Sequence, residues 1–100
     1  MNNKPCTIYL LHFDAPFQHA RHYLGSAENL ASRLAEHARG EGARLLQVVA
    51  AAGIGWQLVR TWDGARRSDE AKFKRAQHNT RLCPVCNPHA ERRGKLEATK

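Results

Sequence analysis

Residues 6–25 read CTIYLLHFDAPFQHARHYLG, and they set the architecture of the chain. Residues 6–13 are rich in β-branched and aromatic side chains, which favours a β-strand. An aspartate and a proline in residues 14–18 predict a turn, and residues 19–25 predict a second, shorter strand. Two neighbouring strands joined in this way indicate an antiparallel hairpin.

A helix is predicted directly after the hairpin. Ser26 follows a glycine and suits the N-cap position, because its hydroxyl can accept from a free N–H of the first turn. Apolar residues then recur with helical periodicity as far as Ala38, and Gly40 predicts the end of the helix. The alanine-rich residues 43–52 predict a short additional helix.

The second half of the chain completes the predicted fold. Residues 56–62 alternate as in a strand, Asp63-Gly64 predicts a turn, and residues 65–77 predict a strongly basic helix. The order β-β-α-(α)-β-α predicts an α/β fold of the α+β kind, a small three-stranded antiparallel sheet flanked by helices. Residues 1–82 form the predicted domain. Residues 83–100, a Cys-Pro-Val-Cys turn and a basic tail, either belong to it or extend it.

The charge of the chain is unevenly distributed. It has 16 Lys and Arg residues against 9 Asp and Glu residues, with a formal net charge of +7. Residues 1–50 carry five basic and four acidic side chains, whereas residues 51–100 carry eleven and five. A basic half attracts polyanions, because Lys and Arg near a phosphate release the counterions condensed on a nucleic acid. The charge therefore indicates a nucleic-acid partner without establishing one.

No segment of the sequence resembles a membrane anchor or a secretory leader. The chain lacks a run of the roughly 18 apolar residues that a membrane span requires. Its first six residues, MNNKPC, lack the apolar centre of a secretion signal. Three cysteines are too few for a secreted disulfide scaffold. We therefore expect a cytoplasmic protein that makes no membrane contact.

Five polar residues occupy positions where neither a core nor a plain surface requires them. They are Tyr9, Tyr23, Arg33, His37 and Glu70. A carboxylate can hold a hard cation such as Mg²⁺, and an arginine fork matches two oxygens of a phosphate. A tyrosinate or a histidine can take the proton of an attacking water. This set of side chains fits the hydrolysis of a phosphodiester.

The order and spacing of these residues resemble the signature of the GIY-YIG nuclease superfamily. The motifs that carry the resemblance are TIY at 7–9, YLG at 23–25, SAENLASRLAEH at 26–37, GAR at 42–44 and EAKFK at 70–74. The first motif has Thr7 in place of glycine, and the second has Leu24 in place of isoleucine. The resemblance extends over residues 6–80.

The resemblance implies a role at the reacting phosphate for each matching residue. Tyr9 corresponds to the tyrosine that acts as general base or orients the attacking water, and Tyr23 to the one that positions water and phosphate. Arg33 would stabilise the transition state, with His37 assisting nearby. Glu70 would be the sole protein ligand of a Mg²⁺ or Mn²⁺ ion.

Two further positions of the family pattern have weaker counterparts in this chain. The asparagine that usually closes the site near the tyrosines corresponds to Asn79, which follows the metal-binding glutamate at a shorter spacing than in many relatives. Some relatives have a lysine just after the second motif, where this chain has Ser-Ala-Glu at residues 26–28. Arg21 and His22 are the alternatives for the role of that lysine.

The resemblance implies a metal-dependent endonuclease that hydrolyses DNA phosphodiester bonds in repair, recombination or mobile-element processing. A chain with no appended specificity domain would bind mainly through phosphates and favour branched or distorted DNA. The residues expected to contact DNA are Arg21, His22, Arg44, Arg66 and Lys74. Two alternatives stay open: a catalytically inactive nucleic-acid-binding module of the same fold, and a zinc-stabilised protein that binds a protein partner.

A Cys-x-x-Cys pair near the C-terminus is the remaining motif. Cys83 and Cys86 supply half of the four ligands that a structural zinc ion needs. His89 and His78 lie at suitable spacings to complete the set, and Cys6 is a further candidate if the two ends of the chain meet. A simple reduced turn and a redox pair of thiols are the alternatives.

Overall fold

Three antiparallel strands and several short helices make up the fold, which a computed structural model describes for residues 5–76 and 79–92. In chain order the elements are β1 (Cys6–Phe17), β2 (Ala20–Ala27), α1 (Leu30–Ala38), α2 (Arg44–Ala51), β3 (Trp56–Ala65), α3 (Arg67–Ala76), α4 (Asn79–Leu82) and a 3₁₀ turn (Ala90–Arg92). The strands form one antiparallel sheet in the order β2-β1-β3. This arrangement confirms the predicted α+β fold with its small three-stranded sheet and flanking helices.

β1 and β2 form the predicted hairpin, but the turn between them lies later than expected. β1 continues to Phe17, and the turn consists of Gln18-His19. Gln18 has a φ of 55°, a left-handed conformation that is uncommon for a residue with a side chain. Residues 14–17 of the predicted turn stay in the strand, where the N–H of Asp14 donates to the carbonyl oxygen of Gly55 at 2.8 Å. β1 therefore spans the whole sheet as its central strand.

Asp63-Gly64 lies inside β3 and not in a turn between β3 and α3. Cys6 pairs with Ala65 and Ile8 pairs with Trp62, so β3 has one extra residue between these two pairs. Gly64 has a φ of 70°, which a glycine adopts without strain, and the extra residue forms a β-bulge. The strand continues past the predicted turn because the bulge absorbs that residue.

α1 begins later than the sequence predicts, because a different residue caps it. Its first residue is Leu30, and the N-cap is Asn29, whose Oδ1 accepts from the N–H of Ser32 at 3.1 Å. Ser26, the predicted cap, lies in β2. Gly40 has a φ of 76° just after the helix, so the predicted C-terminal end is confirmed.

The other helices are also short. α2 occupies most of the alanine-rich stretch that predicted it. α3 begins at Arg67, directly after Arg66, whose N–H donates to the carboxylate of Asp69 at 2.9 Å and so closes the first turn. Among the described residues no helix is both long and apolar enough to cross a membrane.

The sheet separates two hydrophobic cores, because alternate side chains of a strand point to opposite faces. One face, here called the α3 face, packs against α3 and α4, and its buried residues are Cys6, Ile8, Leu10, Leu24, Trp62, Ala65, Phe73, Leu82 and Cys83. The opposite face, here called the α1 face, packs against α1 and α2, and its buried residues are Tyr9, Leu11, Phe13, Ala27, Leu46 and Val49. Side chains adjacent in sequence on β1 therefore serve different cores.

The C-terminal segment, residues 79–92, packs against the α3 face. Leu82 and Cys83 are buried in that core. Arg60 of β3 fastens the segment, because its Nη1 donates to the carbonyl oxygen of Leu82 at 3.0 Å and to that of Ala90 at 2.8 Å. A single guanidinium thus bridges β3 to both ends of the turn that contains the Cys-x-x-Cys motif.

Candidate functional site

Tyr9, Tyr23 and His37 form one aromatic group on the α1 face of the sheet. Tyr9 lies in the central strand, Tyr23 in β2, and His37 in the last turn of α1. Ring centroids are 6.1 Å apart for the two tyrosines, and 5.9 Å and 5.7 Å from His37 to Tyr9 and Tyr23. The fold therefore brings together three of the residues that the sequence singled out.

A hydrogen bond joins the Tyr9 hydroxyl to Nε2 of His37 at 2.8 Å. Nδ1 of the same ring lies 3.4 Å from the carbonyl oxygen of Glu41, which can only accept. We therefore place the ring proton on Nδ1, so that Nε2 accepts from the tyrosine hydroxyl. Burial lowers the pKa of His37, and the ring is neutral at physiological pH.

The Tyr9 phenol keeps its proton at neutral pH. Its side chain has no exposed surface. Burial raises the pKa of Tyr9, and the Tyr23 hydroxyl beside it raises that pKa further. The charge of Arg33 acts in the opposite direction. For Tyr9 to act as a base, its own proton must first move to a neighbouring acceptor, and His37 is in position to receive it.

Gly25 provides the space in which the two tyrosine rings lie. A Cβ at this position would be 2.6 Å from the Tyr9 hydroxyl oxygen and 2.8 Å from Cε2 of Tyr23. Non-bonded heavy atoms approach one another to about 3.5 Å without repulsion. The glycine of the YLG motif is therefore required for close approach of the rings.

Glu70 lies on the α3 face, where two side chains hold its carboxylate. The Ser26 hydroxyl donates to Oε1 at 2.6 Å, and the Lys74 ammonium lies 2.9 Å from Oε2. Burial alone would raise the pKa of this carboxyl, but these two partners outweigh it and the pKa is lowered, so Glu70 is ionised. Ser26 thus positions the carboxylate of Glu70. The sequence did not predict this role, because Ser26 was expected to cap a helix.

An open cleft lies between the beginning of α1 and the beginning of α3. Its volume is about 590 Å³, and its lining residues are Cys6, Ser26, Ala27, Glu28, Asn29, Ser32, Arg33, Glu36 and Arg67. Arg33 enters from α1, and its Nε is 3.6 Å from Glu36. Arg67, which the sequence did not single out, adds a second guanidinium from α3. Arg33 is the lining residue that relates the cleft to the aromatic group, because its charge acts against the burial that raises the pKa of the Tyr9 phenol.

Asn79 is not joined to the tyrosines in the part of the chain that the structure describes. It is half-buried at the beginning of α4. None of the described hydrogen bonds links its side chain to Tyr9 or to Tyr23. Its role in closing the site stays a prediction.

Four of the five predicted DNA-contacting residues have exposed side chains: Arg21, Arg44, Arg66 and Lys74. Exposure is a requirement for phosphate contact, and their role stays a prediction. The fifth, His22, is 7% exposed, and its Nε2 lies 3.5 Å from the sulfur of Cys86. Burial, together with the charges of His12 and Arg21, lowers the pKa of His22 to about 4. Its ring is therefore buried against Cys86 and is not exposed for contact with a phosphate.

A second group of chemically competent side chains lies at the hairpin end of the α3 face. Its members are His12, His22, Cys83 and Cys86, and their four ligand atoms all lie within 4.8 Å of one another. The two histidines are cross-strand partners in β1 and β2, so their rings lie on the same face of the sheet. We call these four residues the His/Cys cluster. Its donor set and spacing could hold a metal ion.

The histidines of this cluster differ from those that the spacing of the sequence predicted. His89 is exposed and does not belong to the cluster. Cys6 is buried at the opposite end of β1 and also lies outside it. His78 lies outside the described residues. Strand pairing, and not proximity in sequence, selects His12 and His22, so only the hairpin register could have revealed them.

No family model, curated protein or solved structure matches this chain. The likeness to the GIY-YIG superfamily therefore rests on the motifs themselves. The structure has two candidate functional sites: the aromatic group with its adjacent cleft, and the His/Cys cluster.

Proposed function

We propose that this protein is an endonuclease of the GIY-YIG type, which hydrolyses DNA phosphodiester bonds with one divalent metal ion. The observation that carries the proposal is the hydrogen bond of 2.8 Å from the Tyr9 hydroxyl to His37. A buried tyrosine needs only some partner for its hydroxyl. A neutral imidazole adds a ring nitrogen that can receive the proton.

The proposed proton path begins at Tyr23, which is half-buried and reaches solvent, whereas Tyr9 is fully buried. The attacking water gives its proton to the Tyr23 hydroxyl, Tyr23 passes its own proton to Tyr9, and the Tyr9 proton passes to Nε2 of His37. The imidazolium that results still donates from Nδ1 to a backbone carbonyl, which favours the charged ring. The hydroxide attacks phosphorus, and the bond from phosphorus to the leaving oxygen breaks.

Two guanidinium groups in the cleft, which also contains the carboxylates of Glu28 and Glu36, support the binding of a phosphate there. Arg33 and Arg67 approach the cleft from two different helices. Guanidinium groups bind phosphate oxygens in pairs and stabilise the charge that accumulates on them during displacement. The charge of Arg33 also acts on the Tyr9 phenol, which supports a role for Arg33 in orienting the scissile phosphate.

Glu70 is the residue that would hold Mg²⁺ or Mn²⁺. When bound, such an ion neutralises charge on the phosphate and stabilises the leaving oxyanion. An ionised single carboxylate suits Mg²⁺, which keeps several waters and completes its shell with phosphate oxygens. Lys74 must leave one carboxylate oxygen, and this costs little because its side chain is 54% exposed.

The charge of the chain supports a polyanionic substrate, since its formal net charge is +7. Arg21, Arg44, Arg66 and Lys74 are exposed and are our candidates for contacts to DNA phosphates. Phosphate contacts position a duplex without reading its sequence, so we expect preference for branched or distorted DNA. Such DNA arises in repair, recombination and mobile-element processing. We expect this activity in the cytoplasm.

The second metal in this proposal is structural Zn²⁺, held by the His/Cys cluster. Two thiols and two imidazoles are borderline-soft ligands that suit zinc, whereas a lone carboxylate suits Mg²⁺. The two ions would therefore occupy separate places and serve separate purposes.

The test is the nicking of supercoiled plasmid with Mg²⁺ or Mn²⁺ by the wild type and by Glu70→Gln. The substitution keeps the size of the side chain but removes its charge, and we expect the rate to fall at least about 100-fold, as loss of a metal ligand worth several kcal/mol implies. Glu91→Gln is the matched control, because Glu91 is exposed in the C-terminal segment. Equal nicking by all three proteins would refute the assignment of Glu70.

An inactive DNA-binding module of the same fold is the second candidate. The observation that favours it is the complete burial of Tyr9, which has no surface open to water. A salt-sensitive shift of branched DNA in a gel, unchanged in Glu70→Gln and without cleavage by either protein, would support the module. Stoichiometric zinc without any DNA affinity would support a zinc-stabilised partner-binding protein instead.

A further inference from the structure

Four of the six distances between ligand atoms of the His/Cys cluster match those around a tetrahedral ion, and all six are within 4.8 Å. Nδ1 of His12 lies 3.3 Å from Nε2 of His22, 3.5 Å from the sulfur of Cys83 and 3.7 Å from that of Cys86. The Cys86 sulfur lies 3.5 Å from Nε2 of His22. Zn–N and Zn–S bonds of about 2.05 Å and 2.3 Å at tetrahedral angles place two nitrogens about 3.35 Å apart and a nitrogen and a sulfur about 3.55 Å apart.

Hydrogen bonding alone does not account for this arrangement. Nδ1 of His12 has three neighbouring ligand atoms within 3.7 Å. A neutral ring nitrogen either donates one proton or accepts at one lone pair, so it can satisfy only one of the three. Thiols are weak partners in addition. Four nitrogen and sulfur atoms that converge on one point, with more close neighbours than hydrogen bonds can satisfy, are the arrangement expected around a shared cation.

The Cys-x-x-Cys turn already has the shape that such a site needs. The carbonyl oxygen of Cys83 accepts from the N–H of Cys86 at 3.1 Å and from that of Asn87 at 2.8 Å. This closed turn presents both sulfurs to the sheet, while Pro84 and Val85 remain exposed. Both cysteines are free thiols in the structure. The turn therefore faces the two histidines without further rearrangement.

We infer that His12, His22, Cys83 and Cys86 are the four ligands of one Zn²⁺ ion, which fastens the C-terminal segment to the β1–β2 hairpin. All four positions of the ion are filled by protein, which is typical of structural zinc and leaves no place for substrate. The two thiols bind as thiolates, and their protons go to solvent. The inference rests on the zinc assignment made above and is independent of the nuclease activity.

The ion would stabilise the α3 face as a whole. Cys83 is packed in the same core as Phe73 of α3, the helix that also carries Glu70. Cross-linking strands near the N-terminus to a turn near the C-terminus restricts the unfolded chain, as other long-range links do. Loss of the ion should therefore loosen the C-terminal segment first and the position of α3 second.

The test is the zinc content of the full chain after reconstitution with Zn²⁺ and removal of excess metal. We expect one zinc per wild-type chain and none in His12→Ala, His22→Ala or Cys83→Ser. The matched controls are His89→Ala and Cys6→Ala, which change the same residue types outside the cluster and should each retain one zinc. Zinc content is measured without DNA. A negative result would therefore contradict the zinc inference and would leave the nuclease proposal unaffected.

Substitution of Co²⁺ for Zn²⁺ in the wild type gives a second readout that does not depend on the folding of a variant. We expect the intense visible absorption of tetrahedral cobalt and a thiolate-to-cobalt charge-transfer band. The melting temperature should also rise with free Zn²⁺, because an ion that binds only the folded state stabilises it. A wild type that binds no zinc, or cobalt without thiolate bands, overturns the inference. So does zinc that is lost in His89→Ala but kept in His12→Ala.

Discussion

Gly25→Ala adds a single carbon atom, and the structure predicts that it lowers both the melting temperature and the rate of nicking. The new Cβ would lie 2.6 Å from the Tyr9 hydroxyl oxygen, 2.7 Å from its Cζ and 2.8 Å from Cε2 of Tyr23. Each contact is roughly 0.7–0.9 Å too short for non-bonded atoms, so a ring must move by nearly that amount. Tyr9 has no free space into which to move, because it is fully buried and hydrogen-bonded to His37.

The expected cost combines two effects. Overpacking a buried position costs about 1–3 kcal/mol, and loss of the Tyr9–His37 hydrogen bond costs about 1 kcal/mol more. A total of about 3 kcal/mol lowers the melting temperature of a domain of this size by roughly 12–24 °C. The same displacement of Tyr9 should reduce plasmid nicking by about 100-fold, because a misplacement near 1 Å has that effect on an aligned reaction.

Gly40→Ala is the matched control for this experiment. Gly40 has a φ of 76° and open space around its Cα, so alanine there adds backbone strain without a steric clash. We expect a cost of about 1 kcal/mol, a fall in melting temperature of roughly 4–8 °C, and unchanged nicking at a temperature where the protein is folded. Thermal unfolding followed by circular dichroism measures the first quantity. If Gly25→Ala melts no lower than Gly40→Ala, the close packing of the tyrosines described above is refuted.

Two further predictions concern His37 and Arg60. Burial lowers the pKa of His37, so nicking should be constant near neutral pH and fall only below pH 6.5; an acid limb centred above pH 6.5, or one that persists in His37→Gln, would contradict its role as acceptor. The pKa of His37 is lower in the folded state than in the unfolded state. The stabilisation from neutral His37 is therefore complete above the unfolded pKa and is lost as pH falls through the folded pKa. Denaturant titration at several pH values measures this loss of unfolding free energy. Arg60→Met removes two charge-assisted hydrogen bonds to carbonyls of the C-terminal segment and should cost about 2–3 kcal/mol of unfolding free energy. Arg39→Met, which removes only an exposed ion pair, should cost less than about 1 kcal/mol, and equal stabilities of the two variants would show that Arg60 does not fasten the segment.

Much of the fold could be predicted because its signals are local. The β-branched and aromatic side chains of residues 6–13 favour a strand whatever lies elsewhere in the chain, and the periodicity before Gly40 specifies a helix and its end. Element boundaries were less predictable. Asp63-Gly64 has the composition of a turn, but pairing with β1 keeps it in the strand as a bulge. Ser26 suits a helix cap, but it extends β2 and Asn29 takes the cap.

The proposed catalytic residues were visible in the sequence because their spacing is tied to these elements. Tyr9, Tyr23 and His37 each lie at a motif position, and the hairpin and the following helix bring them together. The motifs did not predict which atoms of Tyr9 and His37 carry protons. The direction of the Tyr9–His37 hydrogen bond depends on the carbonyl of Glu41, which only the folded loop places beside the ring.

The sequence by itself thus determined the three strands, the main helices, the basic charge and the order of the polar motifs, because each depends on residues within a few positions of one another. Tertiary structure alone decided which side chains meet across the α3 face. Ser26 and Glu70 are 44 residues apart, and His22 and Cys86 are 64 residues apart. Such contacts depend on strand register and on how helices pack against the sheet. A shift of one residue in the pairing of β2 with β1 would turn His22 to the face opposite His12, and the His/Cys cluster would not exist.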